Sequence, residues 1–139
     1  MDDKNRLKIP SIFRRVIDES FPGGEFFVTS TSGEQARIYP LSVWKEKEDL
    51  ILRLPSESRV RQKVFYLAYY YGQEQQMDVQ GRLLIQAPLR TKAELQGEVT
   101  VIALGNFLEV WNKERFHTKH IEGDPLTPED SRVLEGFGF

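Results

Sequence analysis

Two aspartate–arginine pairs have the types and spacing to do chemistry: Asp2-x-x-x-Arg6 and Asp78-x-x-x-Arg82, 76 positions apart. An aspartate ahead of a tight turn accepts from backbone N–H groups two or three residues on and so fixes the turn. Gly81 precedes the second arginine and suits a left-handed backbone; Asn5, its counterpart, is the best non-glycine substitute there. An arginine projected from such a turn offers a planar fork of donors that matches a phosphate or the O6 and N7 edge of guanine. Lys4, Lys8 and Arg14 add charge beside the first pair, and Arg90 and Lys92 beside the second.

A single motif of this kind is usually a surface turn with a local ion pair worth about 0–1 kcal/mol. Its duplication in basic surroundings argues for function. Other candidate groups read more plainly. Arg14, Arg15 and Arg90 fit solvated charges as well as phosphate contacts, and Arg59, Arg61 and Lys63 fit the solvated face of a helix. His117 and His120 have a spacing that can bind a metal, but the sequence nominates no further ligands, so surface histidines are expected. Tyr66, Tyr69, Tyr70 and Tyr71 lie beside Phe65 and Leu67 and read as core or subunit interface. Gly23-Gly24 lacks the lysine and helix start of a phosphate cradle. Cysteine is absent, which excludes disulfides, thiol catalysis and thiolate metal sites. No carboxylate pair stands out as an acid/base couple. The expectation is a protein that is not an enzyme, with no catalytic residue, metal, cofactor or small-molecule substrate.

The elements that must position the two arginines also come in pairs. Asp2–Ile9 recurs as Asp78–Ile85, and Arg14 as Arg90. With a shift of 72, Gly33 matches Gly105 and Arg37-Ile38-Tyr39 matches Glu109-Val110-Trp111. Leu7–Pro10 and Leu83–Ile85 read as short strands, and Phe26–Thr29 and Val99–Ile102 as strands that return through Ala36–Tyr39 and Phe107–Trp111. Short helical segments follow, containing Trp44 in the first half and Phe116 in the second. Trp44, Lys47, Leu50, Ile51 and Leu54 mark one helical stripe, and Val60, Val64, Leu67 and Tyr71 another. That second helix is expected to start at Pro55-Ser56 and to end at Gly72 in a left-handed cap. Gln73–Met77 can add a strand before the second motif.

Each half has about four short strands, too few to bury a core alone. The expected fold is α+β: a small pseudo-symmetric β-barrel of two intertwined hairpin repeats, with helices between the repeats and after the second. A single domain is expected over residues 1–123, with repeat one about 1–54, a linking helix about 56–72 and repeat two about 73–123. Residues 124–139 read as an acidic, flexible tail.

Net charge is −2, which by itself disfavours nucleic acid, but its distribution matters more. Residues 1–15 carry +3, residues 78–92 carry +2 and residues 122–139 carry −4. No run is apolar enough for a signal region or a membrane span; the longest, Val99–Leu104, is far too short.

The repeated Asp-x-x-x-Arg followed by an apolar-x-Ile segment, with Ile38–Trp44, the Arg59–Gly72 helix and Val110-Trp111, resembles the MraZ regulators of the division and cell-wall gene cluster, relatives of the AbrB-type swapped-hairpin DNA binders. The resemblance covers nearly everything before the tail. It implies a cytoplasmic, nucleoid-associated repressor that forms a ring-like homo-oligomer and reads direct-repeat operator boxes in double-stranded DNA. The DNA-contacting set would be Arg82, Arg6, Lys4, Lys8, Arg14, Gln80 and Arg90, with Asp2, Asn5, Asp78 and Gly81 structuring the loops. Asn5 departs from the family's glycine and Gln86 from its proline, and the strand usual before the first motif has no counterpart ahead of Asp2. These departures and the net negative charge keep an alternative open: a protein-interaction module on the same fold.

Overall fold

Leu7 and Leu83 face each other at the centre of a short antiparallel pair. The computed structural model describes residues 1–139. Strand β1 (Arg6–Lys8) pairs with β5 (Arg82–Leu84) in the register Arg6↔Leu84, Leu7↔Leu83, Lys8↔Arg82. Exchanging the two repeats reproduces this register, so a local two-fold axis passes between the leucines. The second sheet holds β2 (Glu25–Thr29), β3 (Ala36–Pro40), β4 (Gln73–Gln76), β6 (Val99–Leu104) and β7 (Phe107–Asn112), all neighbours antiparallel, in the order β4-β2-β3-β7-β6. Its centre is the pair β3–β7, with Arg37 opposite Glu109. These are repeat-related positions, so the same axis runs between them. The strands form two separate ladders and no closed barrel.

Aromatic and β-branched side chains explain the strands. Phe26, Val28, Ile38 and Val110 point into a core that also receives Leu7, Ile9, Leu83, Ile85, Leu89 and Leu95, all buried. Because β1 and β5 each contribute to this one core, neither repeat completes it alone. A smaller cluster on the other face of the large sheet joins Phe27, Tyr39, Val43, Trp44 and Ala68, with the Phe27 and Trp44 rings stacked at 4.5 Å. It is covered by α2 (Leu41–Leu52) and α3 (Arg59–Tyr71).

Two helices were not anticipated: α1 (Ser11–Ser20) after β1 and α4 (Ala87–Lys92) after β5, at equivalent places in the repeats. Helix α3 starts later than its Pro55-Ser56 signal suggests. Ser58 is the cap and accepts from the Arg61 amide at 3.3 Å, whereas Pro55–Ser58 forms a separate turn. The left-handed cap at Gly72 is also corrected: its φ is −82°. The position excludes a side chain for a different reason, since a Cβ would lie 2.2 Å from the Ala68 carbonyl oxygen and 2.4 Å from the Phe27 ring.

Strand β4 falls within the segment expected to precede the second motif, and it pairs with β2 of the first repeat. The Met77 amide then donates to the Gly24 carbonyl at 2.9 Å. The α-ammonium of Met1 makes the equivalent bond in the other repeat, to the Gly97 carbonyl at 2.9 Å, and ties the start of the first loop. After β7 come α5 (Lys113–Phe116) and a π-helical turn (His117–Glu122). In the final segment, α6 (Pro128–Glu135) is closed by a reciprocal cap between Thr127 and Asp130. No ion pair or side-chain hydrogen bond joins residues 124–139 to the rest of the chain.

Candidate functional site

The two motifs fold into nearly identical loops. In the first, one Asp2 oxygen accepts from the amides of Lys4 (2.9 Å) and Arg6 (2.8 Å), and the other accepts from Arg6 Nε (2.9 Å). In the second, Asp78 accepts from the amides of Gln80 and Arg82 (both 2.9 Å) and from Arg82 Nε (2.8 Å). Backbone bonds close each loop: Asn5 N to Asp2 O and Asp2 N to Arg6 O, repeated by Gly81 N to Asp78 O and Asp78 N to Arg82 O. Asn5 and Gly81 sit at φ 63° and 77°. Each loop is also bonded from the other repeat, at 2.9 Å by Ile9 N to Gly81 O and at 3.2 Å by Ile85 N to Asn5 O.

This geometry sets the charge state. Both carboxyls titrate below their ordinary range, chiefly because the backbone N–H of Arg6 or Arg82 points at them. The carboxylates stay ionised at neutral pH and hold each guanidinium through Nε. The Nη atoms of Arg82 take no partner within the chain, while Arg6 Nη1 lies 4.0 Å from Asp78 Oδ2, across the local axis. Two oriented guanidinium forks therefore stand side by side, suited to bidentate acceptors.

Arg6, Lys8, Arg82 and Gln80 line an open depression of about 710 Å³ together with Asp2, Glu98 and Lys113. Lys113 follows β7 and pairs with Glu98 at 3.1 Å. Sequence reasoning passed over it because only the pairing of β7 with β6 brings it to the loops. Lys4 is exposed on the first loop and Gln80 on the second. Arg14 and Arg90 behave differently: Arg14 Nη2 donates to the Val79 carbonyl at 3.0 Å and Arg90 Nη1 to the Ile85 carbonyl at 2.7 Å. Gln86 is buried, and its amide donates to the carbonyls of Val28 (2.7 Å) and Tyr71, so in place of proline it clamps the α3–β4 junction.

The remaining candidates lie apart from the loops. His120 packs edge-on against Trp111 at 4.8 Å, and no group of three or more His, Cys, Asp or Glu side chains is placed to hold a metal. Tyr71 is core, Tyr69 stacks on Phe65, and Tyr66 and Tyr70 are exposed. No helix is long and apolar enough to cross a membrane.

Comparison with known proteins is consistent across the chain. The family model described as MraZ protein matches residues 71–134, which include the second loop, α4, α5 and all but the last residue of α6. A protein of Koribacter versatilis named Transcriptional regulator MraZ is 42% identical over 139 residues, covering 100% of this chain and 94% of that protein. One of the same name from Acidobacterium capsulatum is 41% identical with the same coverage, and one from Nitrosomonas europaea is 35% identical over 147 aligned residues. With duplicated Asp–Arg loops on a two-repeat α+β fold and such identity along its full length, the chain belongs to the MraZ family of transcriptional regulators.

Proposed function

We propose that this protein is a sequence-specific binder of double-stranded DNA, acting in the cytoplasm at the nucleoid as a repressor of division and cell-wall genes. The observation that carries the reading is the pair of rigid loops, each presenting an arginine that is gripped at Nε. Arg6 and Arg82 read bases in direct-repeat boxes; Lys4, Lys8 and Gln80 add contacts around them, and phosphate contacts supply most of the affinity. The two sheets act as one barrel-like body of intertwined hairpins. Several such bodies assemble as a ring, which would cover Ile12 and Val16 of α1 and Tyr66 and Tyr70 of α3, all exposed in the single chain.

A gel shift with direct-repeat promoter duplex against a scrambled duplex tests this. Arg82→Ala should cut the preference for the specific duplex by roughly 1–3 kcal/mol, about 5- to 150-fold. Arg6→Ala, whose fork is shared with Asp78, should weaken binding to both duplexes. Unchanged affinity and unchanged preference in Arg82→Ala would remove the loops as the reading surface and favour the interaction-module alternative.

A further inference from the structure

Gly81 is a position where another side chain has taken the space of a Cβ. Its φ is +77°, and a Cβ built there would meet Arg14 at 2.9 Å from Nη1, 3.0 Å from Cδ and 3.2 Å from Cζ. Arg14 belongs to α1 of the first repeat, yet its guanidinium lies against the loop of the second and donates Nη2 to the Val79 carbonyl at 3.0 Å. Asp18, one turn on, lies 3.8 Å from Arg14 Nε and steadies the side chain from behind.

The second repeat has the same two residue types but does not use them in the same way. Arg90 stands where Arg14 stands, but it donates to the Ile85 carbonyl at the end of its own strand. Glu94, the counterpart of Asp18, lies beyond the end of α4 at φ 54° and pairs with Arg115 at 3.1 Å. No arginine grips the Asn5 loop from the opposite repeat. Both loops share the bond at their base, Met1 N to the Gly97 carbonyl and Met77 N to the Gly24 carbonyl, so the Arg14 contact is what sets the second apart.

We propose that Arg14 is a positioning residue for the second loop and not a phosphate contact: it clamps Val79–Gly81 so that Arg82 is presented rigidly. A guanidinium packed on a glycine and donating Nη2 to a loop carbonyl has its charge close to the DNA-facing surface but that donor committed within the chain. The two loops of one chain are therefore unequal. The second loop carries a clamp from the opposite repeat that the first lacks, and the discriminating role falls to it. This assignment rests on the DNA-binding reading for its consequence, but not for its geometry.

The experiment has two arms on the full chain, using Arg14→Ala and Arg14→Lys. Arg14→Lys keeps the charge but loses the planar fork that bonds Val79 while covering Gly81. The first arm needs no DNA: amide hydrogen exchange at Gln80, Gly81 and Arg82, with Asn5 and Arg6 as the internal reference. Both variants should speed exchange in the second loop by about tenfold and leave the first loop as in the parent, a loss of the size expected for one charge-assisted bond. Unchanged exchange, or equal acceleration in both loops, overturns the proposal. The second arm measures affinity for a direct-repeat duplex and a scrambled duplex across a salt series. Both variants should lose specific-over-scrambled preference about tenfold with the salt slope unchanged. A phosphate contact would instead lower the slope by about 1 in Arg14→Ala, with Arg14→Lys like the parent, and that result overturns the proposal too. Failure of the parent protein to bind any duplex would refute the DNA reading, and the exchange arm would still decide the role of Arg14.

Discussion

Glu109→Ala tests the account of the sheet centre most directly. Glu109 is buried and accepts from Arg37 Nε at 3.0 Å, Trp111 Nε1 at 3.0 Å and Gln35 Nε2 at 3.4 Å. Removing the carboxylate orphans three donors, one of them charged. Breaking a buried pair from one side costs about 3–5 kcal/mol. The Arg37 side chain is 35% exposed, so water recovers part of its solvation, and about 2–3 kcal/mol is the better figure. Unfolding entropy near 2.1 cal/mol/K per residue gives about 0.29 kcal/mol/K for 139 residues, so the melting temperature should fall by about 7–10 °C. Differential scanning calorimetry measures this. The double change Arg37→Leu with Glu109→Leu should recover most of the loss, because it leaves no orphaned charge. A fall below about 3 °C for Glu109→Ala, the size of a surface pair, would refute the reasoning.

Gly81→Ala should lower stability by about 2 kcal/mol, combining a left-handed alanine with displacement of Arg14, whereas Asn5→Gly should be nearly neutral; chemical denaturation compares them. Asp2 and Asp78 have depressed folded-state values, so the stability they lend is fully present above the ordinary 3.8 and is lost as pH falls through the lowered value. The amide resonances of Lys4, Arg6, Gln80 and Arg82 should hold steady down to about pH 4 and move together below it; movement between pH 5 and 7 would contradict the loop geometry. Partial burial and a hydrogen bond to the Glu48 carboxylate push Tyr69 up to about 12, and ultraviolet titration should show this value come down in Glu48→Gln. Deleting residues 124–139 should leave the melting temperature nearly unchanged; a large loss would show that Val133 and Phe137, exposed in the single chain, dock on another copy.

The loops were legible because their chemistry is local. Aspartate, a left-handed residue and arginine lie within five positions, and repetition lifts the pattern above chance. The paired hairpins were legible from the same repetition. Helix α1 was not, although Phe13, Val16 and Ile17 lie at helical spacing, because Arg14 and Arg15 drew the segment into the basic flank of the motif. Helix α4 is only six residues long and has a proline in its first turn, too short for a periodic signal. The inward turn of Arg14 was invisible for another reason: its partner, the Val79 carbonyl, is 65 residues away and becomes its neighbour only when the repeats exchange strands. Two sheets formed in place of a single closed barrel because β1 and β5, at three residues each, pair only with one another.

The Arg37–Glu109 contact has a consequence for how such a protein can be assembled from halves. Where two identical chains meet on a rotation axis, a residue on the axis must face its own copy, so arginine would meet arginine and glutamate would meet glutamate. Opposite charges at that spot exist only because the two halves have different sequences. The contact makes pairing heterotypic: each half recognises the other and repels itself. Expressed as separate polypeptides, the halves should form mixed pairs in preference to either self-pair. Joined in one chain, they meet at an effective concentration that dilution cannot lower, and the two arginine loops stay in register at any protein concentration.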